Sequence, residues 1–263
     1  MKITILGSNG FVGSNIASRF ERDGNTVFRL NRHNINLLDP AEVKQWLVEA
    51  KSDVIINCAA TMNNTVSDIT NNLGIFMNFY QNAHLFGRFI NTGSGAELDR
   101  TLDLQNVTEQ VLFDRLPKDP YGFAQNVKAR LCFDRENFCS LRIFNCFGTG
   151  EAKTRIIPRY LHNENFSIND DRYFDMFGID DLYTVIKHYA VVHHIPDYMK
   201  DVNCVYTDKY KISEILNMFK EMHDITKPIT IESKSDLNYT GSGAKLASLG
   251  LELKGLAYSL NEY

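Results

Sequence analysis

The sequence predicts an α/β protein whose larger part is a doubly wound parallel sheet with helices on both faces. Three observations predict this fold class. Short apolar segments rich in Ile, Val and Leu recur along the first half of the chain, longer segments with helical spacing separate them, and a glycine-rich turn follows the first apolar segment. Strands that are apolar throughout are typical of a parallel sheet that is covered on both faces.

The first part of the chain alternates predicted strands with predicted helices. The strands are Lys2–Leu6, Thr26–Leu30, Asp53–Asn57, Arg88–Asn91 and Cys139–Ile143. The helices are Phe11–Asp23, Pro40–Ala50, Asn71–Phe86 and Tyr121–Glu136. Because crossovers between parallel strands are right-handed, this alternation predicts a doubly wound domain over residues 1–150.

After residue 150 the alternation becomes irregular, which predicts a smaller α+β lobe over residues 151–263. The predicted helices are Ile156–His162, Asp180–His194 and Ile212–His223. The predicted strands are Phe174–Phe177, Cys204–Tyr206 and Ile229–Ile231. We expect some of these elements to interleave with the first domain.

Composition excludes several classes of protein. Of the 263 residues, 44% are hydrophobic and 23% are charged, as in folded enzymes. The net charge of -4 argues against nucleic acid as a partner, since binding to phosphate backbones requires a basic surface. No segment approaches the roughly 18 apolar residues of a membrane span, and the apolar start is too short for a signal peptide. These features predict a cytoplasmic protein with a small-molecule ligand and no membrane partner.

The cysteines and histidines do not form a metal site in the sequence. The five cysteines are scattered and form no CxxC pair, and no cluster of histidines has ligand spacing. Buried free thiols are therefore predicted, and no metal is predicted.

The glycine turn after the first strand is typical of a Rossmann-type dinucleotide-binding domain. Gly7 permits the tight turn, Gly10 lets the backbone approach a pyrophosphate, and Gly13 lets the helix pack on the strand. The N-terminus of the following helix offers free N–H groups to the anion. We expect the intervening residues Asn9, Phe11 and Val12 to contact the cofactor as well.

The end of the second strand favours NADP over NAD, although NAD stays possible. An acidic residue at this position would bind the ribose 2′-hydroxyl, whereas an arginine neutralises a 2′-phosphate. Arg32 stands there, and the first carboxylate after the strand is Asp39, which is kept as a further candidate cofactor ligand. The alternative is that Arg32 is an ordinary exposed loop arginine.

The chain resembles the extended short-chain dehydrogenase/reductase family, whose members remodel nucleotide-activated sugars. The matching segments are GSNGFVG at 7–13, NLLDP at 36–40, DVIINCAA at 53–60, INTGSGAE at 90–97, DPYGFAQN at 119–126, LRIFNCFG at 141–148, FGIDDLYTVI at 177–186 and KISEIL at 211–216. The stretch FRLNRHNINLLDP is most similar to the NADP-dependent reductases of the GDP-fucose synthase type. The resemblance places Ala59, Ala60 and Thr61 beside the cofactor.

This resemblance implies catalysis by a Ser/Thr, a Tyr and a Lys. Ser94 and Tyr121 match the first two positions, as the group that orients the substrate oxygen and the proton donor or acceptor. Gln125 stands where the family has lysine, so it can bind the nicotinamide ribose but supplies no positive charge. Lys128, three residues further along the helix, is either a source of charge or a solvated helix lysine.

The residues after Ser94 narrow the implied reaction. The 4,6-dehydratases of the family carry an Asp-Glu pair there, whereas this chain has Gly95-Ala96. The active-site cysteine of GDP-fucose synthases would also fall near Ala96. The implied reaction is therefore reduction of a keto-sugar nucleotide or C4 epimerisation, with Asn145 and Arg155 implied as substrate ligands.

Two further expectations follow from the resemblance. The chain is expected to form a homodimer through the helices at Asn71–Phe86 and Tyr121–Glu136. The side chains predicted for this face are Phe76, Phe79, Tyr80, Phe123 and Val127. The missing lysine leaves a second function open, namely a catalytically silent protein that binds the dinucleotide as a sensor or scaffold.

Overall fold

The computed structural model describes residues 1–263 and contains twelve strands and nine α-helices. The strands are β1 (Lys2–Leu6), β2 (Thr26–Leu30), β3 (Val54–Asn57), β4 (Arg88–Ser94), β5 (Leu104–Val107), β6 (Phe138–Ile143), β7 (Cys146–Phe147), β8 (Ser167–Ile168), β9 (Phe177–Gly178), β10 (Asp201–Cys204), β11 (Thr230–Ile231) and β12 (Tyr239–Gly241). The helices are α1 (Phe11–Arg22), α2 (Pro40–Ala50), α3 (Val66–Gln81), α4 (Pro120–Cys132), α5 (Ile156–His162), α6 (Ile179–Val191), α7 (Ile212–Met222), α8 (Ala244–Ala247) and α9 (Leu256–Asn261).

Six parallel strands form the central sheet, in the order β10-β6-β4-β3-β1-β2. The chain runs outward in one direction through β1 and β2, then crosses back to β3, β4, β6 and β10. Ile5 of β1 lies between Arg29 of β2 and Ile56 of β3. This doubly wound topology confirms the predicted fold class.

Apolar side chains on the two faces of the sheet form two cores. Ile3, Ile5 and Ile56 pack with α1 and α6 on one face. Ile55 and Phe89 pack with α2 and α3 on the other face. Because neighbouring residues of a strand point to opposite faces, the continuous apolar strands bury both of their sides.

The central sheet includes an element from the second half of the chain. All four residues of β10 are buried, and β10 pairs with β6 at the edge of the sheet. Helix α6 also packs against α1, where Arg19 Nε donates to Asp180 Oδ1 at 2.8 Å. Residues 177–204 therefore contribute to the same sheet and the same core as strands β1–β6. The division into two domains at residue 150 stays a prediction.

The rest of the second lobe has its own core between α5, α7 and α9, with Tyr160, Leu216 and Leu260 fully or almost fully buried. Three short parallel pairs complete the structure. The pair β11 and β8 lies within the second lobe, whereas β9 pairs with β7 and β12 pairs with β5 of residues 1–150. This last pair brings residues 238–239 to the carboxyl ends of the central strands, where the cavities described below lie.

The structure corrects the boundaries of three predicted helices. The helix predicted at Tyr121–Glu136 is α4, which begins at Pro120 and ends at Cys132. The helix predicted at Asn71–Phe86 is α3, which begins at Val66 and ends at Gln81, and a short 3-10 helix follows at Ala83–Leu85. The helix predicted at Asp180–His194 is α6, which ends at Val191. The guanidinium of Arg88 donates hydrogen bonds to the carbonyl oxygens of Tyr189, Val192 and His193. It thereby supplies partners to carbonyl groups at the C-terminal end of α6.

The structure also corrects the predicted dimer face. Phe76 and Phe79 are 0% exposed and pack within the subunit against Phe89. Tyr80, Phe123 and Val127 are partly exposed. The homodimer stays a prediction, but the two buried phenylalanines cannot form its surface.

No helix of the structure has the length and apolar character that crossing a membrane requires. All five cysteines are free thiols, and four of them are buried. No three side chains of His, Cys, Asp or Glu lie close enough together to hold a metal ion.

Candidate active site

The glycine turn has the geometry that the sequence predicts. Gly7 has a φ of +72°, and a Cβ atom there would lie 2.8 Å from the backbone of Ala59. A Cβ on Gly13 would lie 2.3 Å from the carbonyl oxygen of Gly7, so only glycine lets α1 approach the turn this closely. Helix α1 has no side-chain cap, which leaves the N–H groups of its first turn available.

A cavity of about 520 Å³ opens beside this turn. Arg32 and His33 line one wall of it, and Leu37 and Ile75 contribute apolar surface. The other predicted cofactor ligands that line it are Gly7, Asn9, Gly10, Ala59, Ala60 and Thr61.

Arg32 and Asp39 differ in their surroundings. Arg32 is exposed and makes no ion pair with the protein, so its guanidinium is free to meet an anion in the cavity. Asp39 does not line the cavity, because its carboxylate caps α2 and accepts from the N–H groups of Ala41 at 2.8 Å and Glu42 at 3.1 Å. The structure therefore does not bring Asp39 to the cofactor site.

A second cavity, of about 540 Å³, contains most of the predicted catalytic and substrate residues. Cys58 and Ala60 line both cavities, so the two are adjacent. The predicted residues that line the second cavity are Phe11, Val12, Ser94, Tyr121, Asn145 and Arg155.

Ser94 ends β4 and is held by a short 3-10 helix that follows it. Its Oγ accepts a hydrogen bond from the N–H of Ala96 at 3.1 Å, and its own N–H donates to Glu97 Oε1 at 2.8 Å. Glu97 therefore fixes the loop that carries the Ser94 hydroxyl.

Glu97 belongs to a fully buried network of charges below the cavity. Arg142 donates from Nε to Glu97 Oε2 at 2.8 Å and from Nη2 to Asp201 Oδ2 at 2.6 Å. Its Nη1 donates to Asn203 Oδ1 at 2.8 Å. Burial raises the pKa of Glu97 and of Asp201, and the guanidinium of Arg142 opposes both shifts. The network links β6 and β10 to the loop of Ser94.

Tyr121 lies in the first turn of α4, at the mouth of the same cavity. Asp119 caps this helix by accepting from the N–H of Gly122 at 2.8 Å, and it also pairs with Arg100 at 3.1 Å. Burial raises the pKa of Tyr121, while the Ser94 hydroxyl and the charge of Arg100 oppose that rise. The phenol is therefore protonated at neutral pH.

Gln125 lies one turn beyond Tyr121 and is 1% exposed. Its Oε1 atom is buried and has no hydrogen-bond partner in the protein. The side chain lines neither of the two cavities, so the structure does not bring Gln125 into the site with Ser94 and Tyr121.

Lys128 is not the solvated lysine that was one of its two interpretations, since it is 1% exposed. Burial lowers the pKa of its ammonium to about 8, and the charge of Glu97 opposes this shift. Lys128 therefore interacts with the buried network below Ser94, whereas the cation that acts on Tyr121 is Arg100.

The two predicted substrate ligands lie together. Arg155 donates a hydrogen bond to Asn145 Oδ1, and its Nε lies 3.6 Å from Glu151 Oε2. The side chain of Arg155 is 39% exposed, so part of its guanidinium faces the cavity.

Several residues that line the cavity were not predicted from the sequence, among them Arg100, Arg172, Asn238 and Tyr239. Asn238 and Tyr239 reach the site through the pairing of β12 with β5, and Arg172 lies in the segment that bridges to β12 through Phe174 and Tyr239. Arg100 follows the segment INTGSGAE closely, and its position after Ser94 is the one signal that would have suggested it.

Comparisons with known proteins agree with the fold. The model of the NAD dependent epimerase/dehydratase family matches residues 3–165. CDP-abequose synthase of Yersinia pseudotuberculosis is 22% identical over 254 residues, which cover 85% of each chain. A GDP-mannoheptose C4 reductase from Campylobacter jejuni with NADP bound has a TM-score of 0.84 at 20% identity, over 99% of this chain and 96% of the other. A GDP-L-fucose synthetase from Naegleria fowleri bound to NADP has a TM-score of 0.83 at 15% identity, over 99% and 90%.

Proposed function

We propose that this chain, which belongs to the NAD dependent epimerase/dehydratase family, is an NADPH-dependent reductase of a keto-sugar linked to a nucleoside diphosphate. Membership of the family confirms the predicted class of enzyme, an NAD(P)-dependent oxidoreductase or epimerase of the extended short-chain dehydrogenase type. One observation supports the narrower proposal most directly. Ser94 and Tyr121 share a cavity that adjoins the cavity at the glycine turn, with Cys58 and Ala60 in the wall of both.

The residues of the first cavity fit NADPH. A Cβ atom on Gly7 or Gly13 would collide with backbone, so the two glycines allow the turn and the uncapped N-terminus of α1, where a pyrophosphate is favoured, to lie this close together. Arg32 lines this cavity and is free to pair with a 2′-phosphate. When bound, NADPH supplies the hydride that reduces the carbonyl carbon.

The protein's own residues act on the carbonyl oxygen. The Ser94 hydroxyl orients this oxygen by donating a hydrogen bond, and the Tyr121 phenol transfers its proton to it as the carbonyl becomes an alcohol. Because burial raises the pKa of Tyr121, the phenol carries this proton at neutral pH. The phenolate then regains a proton from solvent.

Gln125 favours reduction over the reverse reaction. A lysine at this position would stabilise the phenolate that abstracts a proton from an alcohol, and a neutral amide does not. A C4-epimerase must perform both half-reactions, so the arrangement supports the reductase over the epimerase that the sequence also left open. The names of the relatives, an abequose synthase and a C4 reductase, support a nucleotide-sugar substrate with chemistry at C4.

The substrate's diphosphate is assigned to the side of the cavity that Arg155 lines. A guanidinium binds a diphosphate through two parallel hydrogen bonds, and the Arg155 side chain is partly exposed to the cavity. Asn145 accepts from Arg155 and holds it in place.

A second candidate is a catalytically silent protein that binds the dinucleotide as a sensor or scaffold. The neutral Gln125 in place of a lysine is the observation that favours it. Both candidates predict binding of NADPH, so only turnover separates them.

NADPH oxidation at 340 nm tests the proposal with 4-keto-6-deoxyhexoses linked to CDP, GDP, dTDP and UDP. We expect turnover of at least one, and we expect Tyr121→Phe to lower kcat by about 10²- to 10⁴-fold with NADPH affinity retained. Arg32→Ala should reduce the preference for NADPH over NADH by roughly 10- to 100-fold.

Two outcomes would contradict the proposed reductase. If NADPH binds but neither the wild type nor Gln125→Lys oxidises it with any of these sugars, the silent binder is correct. Interconversion of nucleotide-linked hexoses at C4 without net consumption of NADPH would instead identify an epimerase.

A further inference from the structure

Residues 148–155 form the loop between β7 and α5 and contribute to the wall of the second cavity. Glu151, Ala152 and Arg155 of this loop line the cavity. Within the loop, the N–H of Glu151 donates to the carbonyl oxygen of Gly148 at 3.2 Å, and the N–H of Arg155 donates to that of Ala152 at 2.9 Å. These bonds form turns but no helix or strand, so the side chains depend on contacts outside the loop for their positions.

The carboxylate of Glu151 receives its hydrogen bond from a residue far along the chain. The Glu151 side chain is 2% exposed, and its Oε1 accepts from the hydroxyl of Tyr263 at 3.0 Å. Its Oε2 lies 3.6 Å from Arg155 Nε. A carboxylate taken out of water needs polar partners within the protein. The Tyr263 phenol therefore fixes where this carboxylate lies beside Arg155.

The guanidinium of Arg155 is held at two of its three nitrogen atoms. Its Nε faces Glu151, and its Nη2 donates to Asn145 Oδ1 and to the carbonyl oxygen of Cys146 at 3.3 Å. Its Nη1 makes no hydrogen bond within the protein, so both N–H groups of that atom are left for a ligand. Because the guanidinium is planar, the partners of Nε and Nη2 together set the plane in which Nη1 donates.

Tyr263 is itself anchored to the core of the second lobe. Its ring centroid lies 5.6 Å from that of Phe219 in α7, in an edge-to-face arrangement. Its N–H donates to the carbonyl oxygen of Leu260 at 3.4 Å, and its own carbonyl oxygen accepts from the Thr149 hydroxyl at 3.4 Å. Tyr263 does not line the second cavity. It therefore connects the second lobe to the loop of Arg155 from behind the cavity wall.

We propose that Tyr263 is a positioning residue that holds the Glu151 carboxylate and, through it, directs the Arg155 guanidinium at the diphosphate of a nucleoside diphosphate ligand. This ligand is the nucleotide part of the substrate, so the inference rests on the proposed function. Without the phenol, the buried carboxylate keeps only Arg155 as a partner. The two side chains then form a closer ion pair, which withdraws the guanidinium from the ligand.

Tyr263→Phe is the direct test, because it removes one oxygen atom and keeps the ring contact with Phe219. Calorimetric titration of the NADP-loaded protein with CDP, GDP, dTDP and UDP measures the effect. We expect Kd for the nucleotides that the wild type binds to rise by about 5- to 20-fold, with NADPH affinity unchanged. Tyr258→Phe is the matched control, since Tyr258 is an exposed tyrosine of α9 whose hydroxyl contacts Lys254 at 3.5 Å, and it should bind as the wild type does.

The double variant Arg155→Ala/Tyr263→Phe distinguishes positioning from a general structural role. A residue that acts only through Arg155 has no effect once the guanidinium is gone, so the double variant should bind each nucleotide as Arg155→Ala alone does. In turnover of a keto-sugar, Tyr263→Phe should raise KM and leave kcat within about twofold of the wild type, because Ser94 and Tyr121 keep their places.

The titrations separate this proposal from the proposed function, because they need no turnover. A Tyr263→Phe protein that binds the nucleotides as tightly as Tyr258→Phe, or losses that multiply in the double variant, would overturn the positioning role of Tyr263. An Arg155→Ala protein that binds as the wild type does would overturn it too. A wild type that shows the expected binding pattern but reduces no keto-sugar contradicts the proposed reductase alone, and one that binds none of the four nucleotides contradicts both.

Discussion

The cavity at the glycine turn and the cavity at Ser94 are adjacent, but they are built in different ways. Short local segments form the first, chiefly residues 7–10, 31–38 and 58–61, and its contacts come from backbone and from exposed side chains such as Arg32. The second draws on β4, α4, β6 and the second lobe, above a fully buried network centred on Arg142. The shape of the cavity at the glycine turn therefore depends on backbone geometry, and that of the cavity at Ser94 depends on buried charge.

Arg142→Met should lower the free energy of unfolding more than any other substitution that tests this difference. The substitution leaves the carboxylates of Glu97 and Asp201 buried without their cation, which costs about 3–5 kcal/mol in free energy of unfolding. Equilibrium denaturation in urea measures this loss. The control is Arg29→Met, which breaks an exposed pair with Glu21 and should cost at most about 1 kcal/mol. Equal losses in the two variants would show that the buried network has no special role.

Lys128 makes the free energy of unfolding depend on pH. Burial lowers the pKa of its ammonium to about 8 in the folded protein, below the 10.5 that is usual for a lysine, so the unfolded chain binds more protons between these two pH values. The free energy of unfolding of the wild type should therefore rise, relative to Lys128→Met, as the pH increases from 8 to 10.5, by on the order of 3 kcal/mol.

The exposed Lys44 on α2 provides the control for this pH series. Lys44→Met should follow the wild type across the whole pH range. A wild type and a Lys128→Met variant with parallel stability curves would mean that the Lys128 ammonium is not buried in solution.

In the glycine turn, Gly13→Ala and Gly10→Ala should differ in their stability. The new methyl group would lie 2.3 Å from the Gly7 carbonyl oxygen in the first variant but 3.3 Å from it in the second. We expect Gly13→Ala to lose about 1–3 kcal/mol of stability and NADPH binding together, and Gly10→Ala to weaken NADPH binding while it keeps most of its stability. Thermal unfolding and NADPH titration check this, and similar melting temperatures for both variants would contradict it.

The sequence by itself determined the features that depend on local pattern. Apolar periodicity located β1, β2 and α2 to the residue, because burial on both faces of a strand or on one face of a helix requires a repeat within a few residues. The glycine spacing predicted the turn at Gly7–Gly13 for the same reason, since its steric demands come from neighbouring backbone. The position of Ser94 and Tyr121 at one cavity followed from the ends of parallel strands.

Only the tertiary structure decided which side chains surround those positions. Nothing near Lys128 in the sequence shows that it is buried beside Glu97, and nothing near Tyr239 shows that its hydroxyl fills the space above Gly95. Phe76 and Phe79 were likewise assigned to a dimer face but belong to the core. Burial and contact depend on elements that are distant in the chain, such as β12, which pairs with β5. A periodic pattern shows which face of a helix is apolar, but it does not show which part of the protein covers that face.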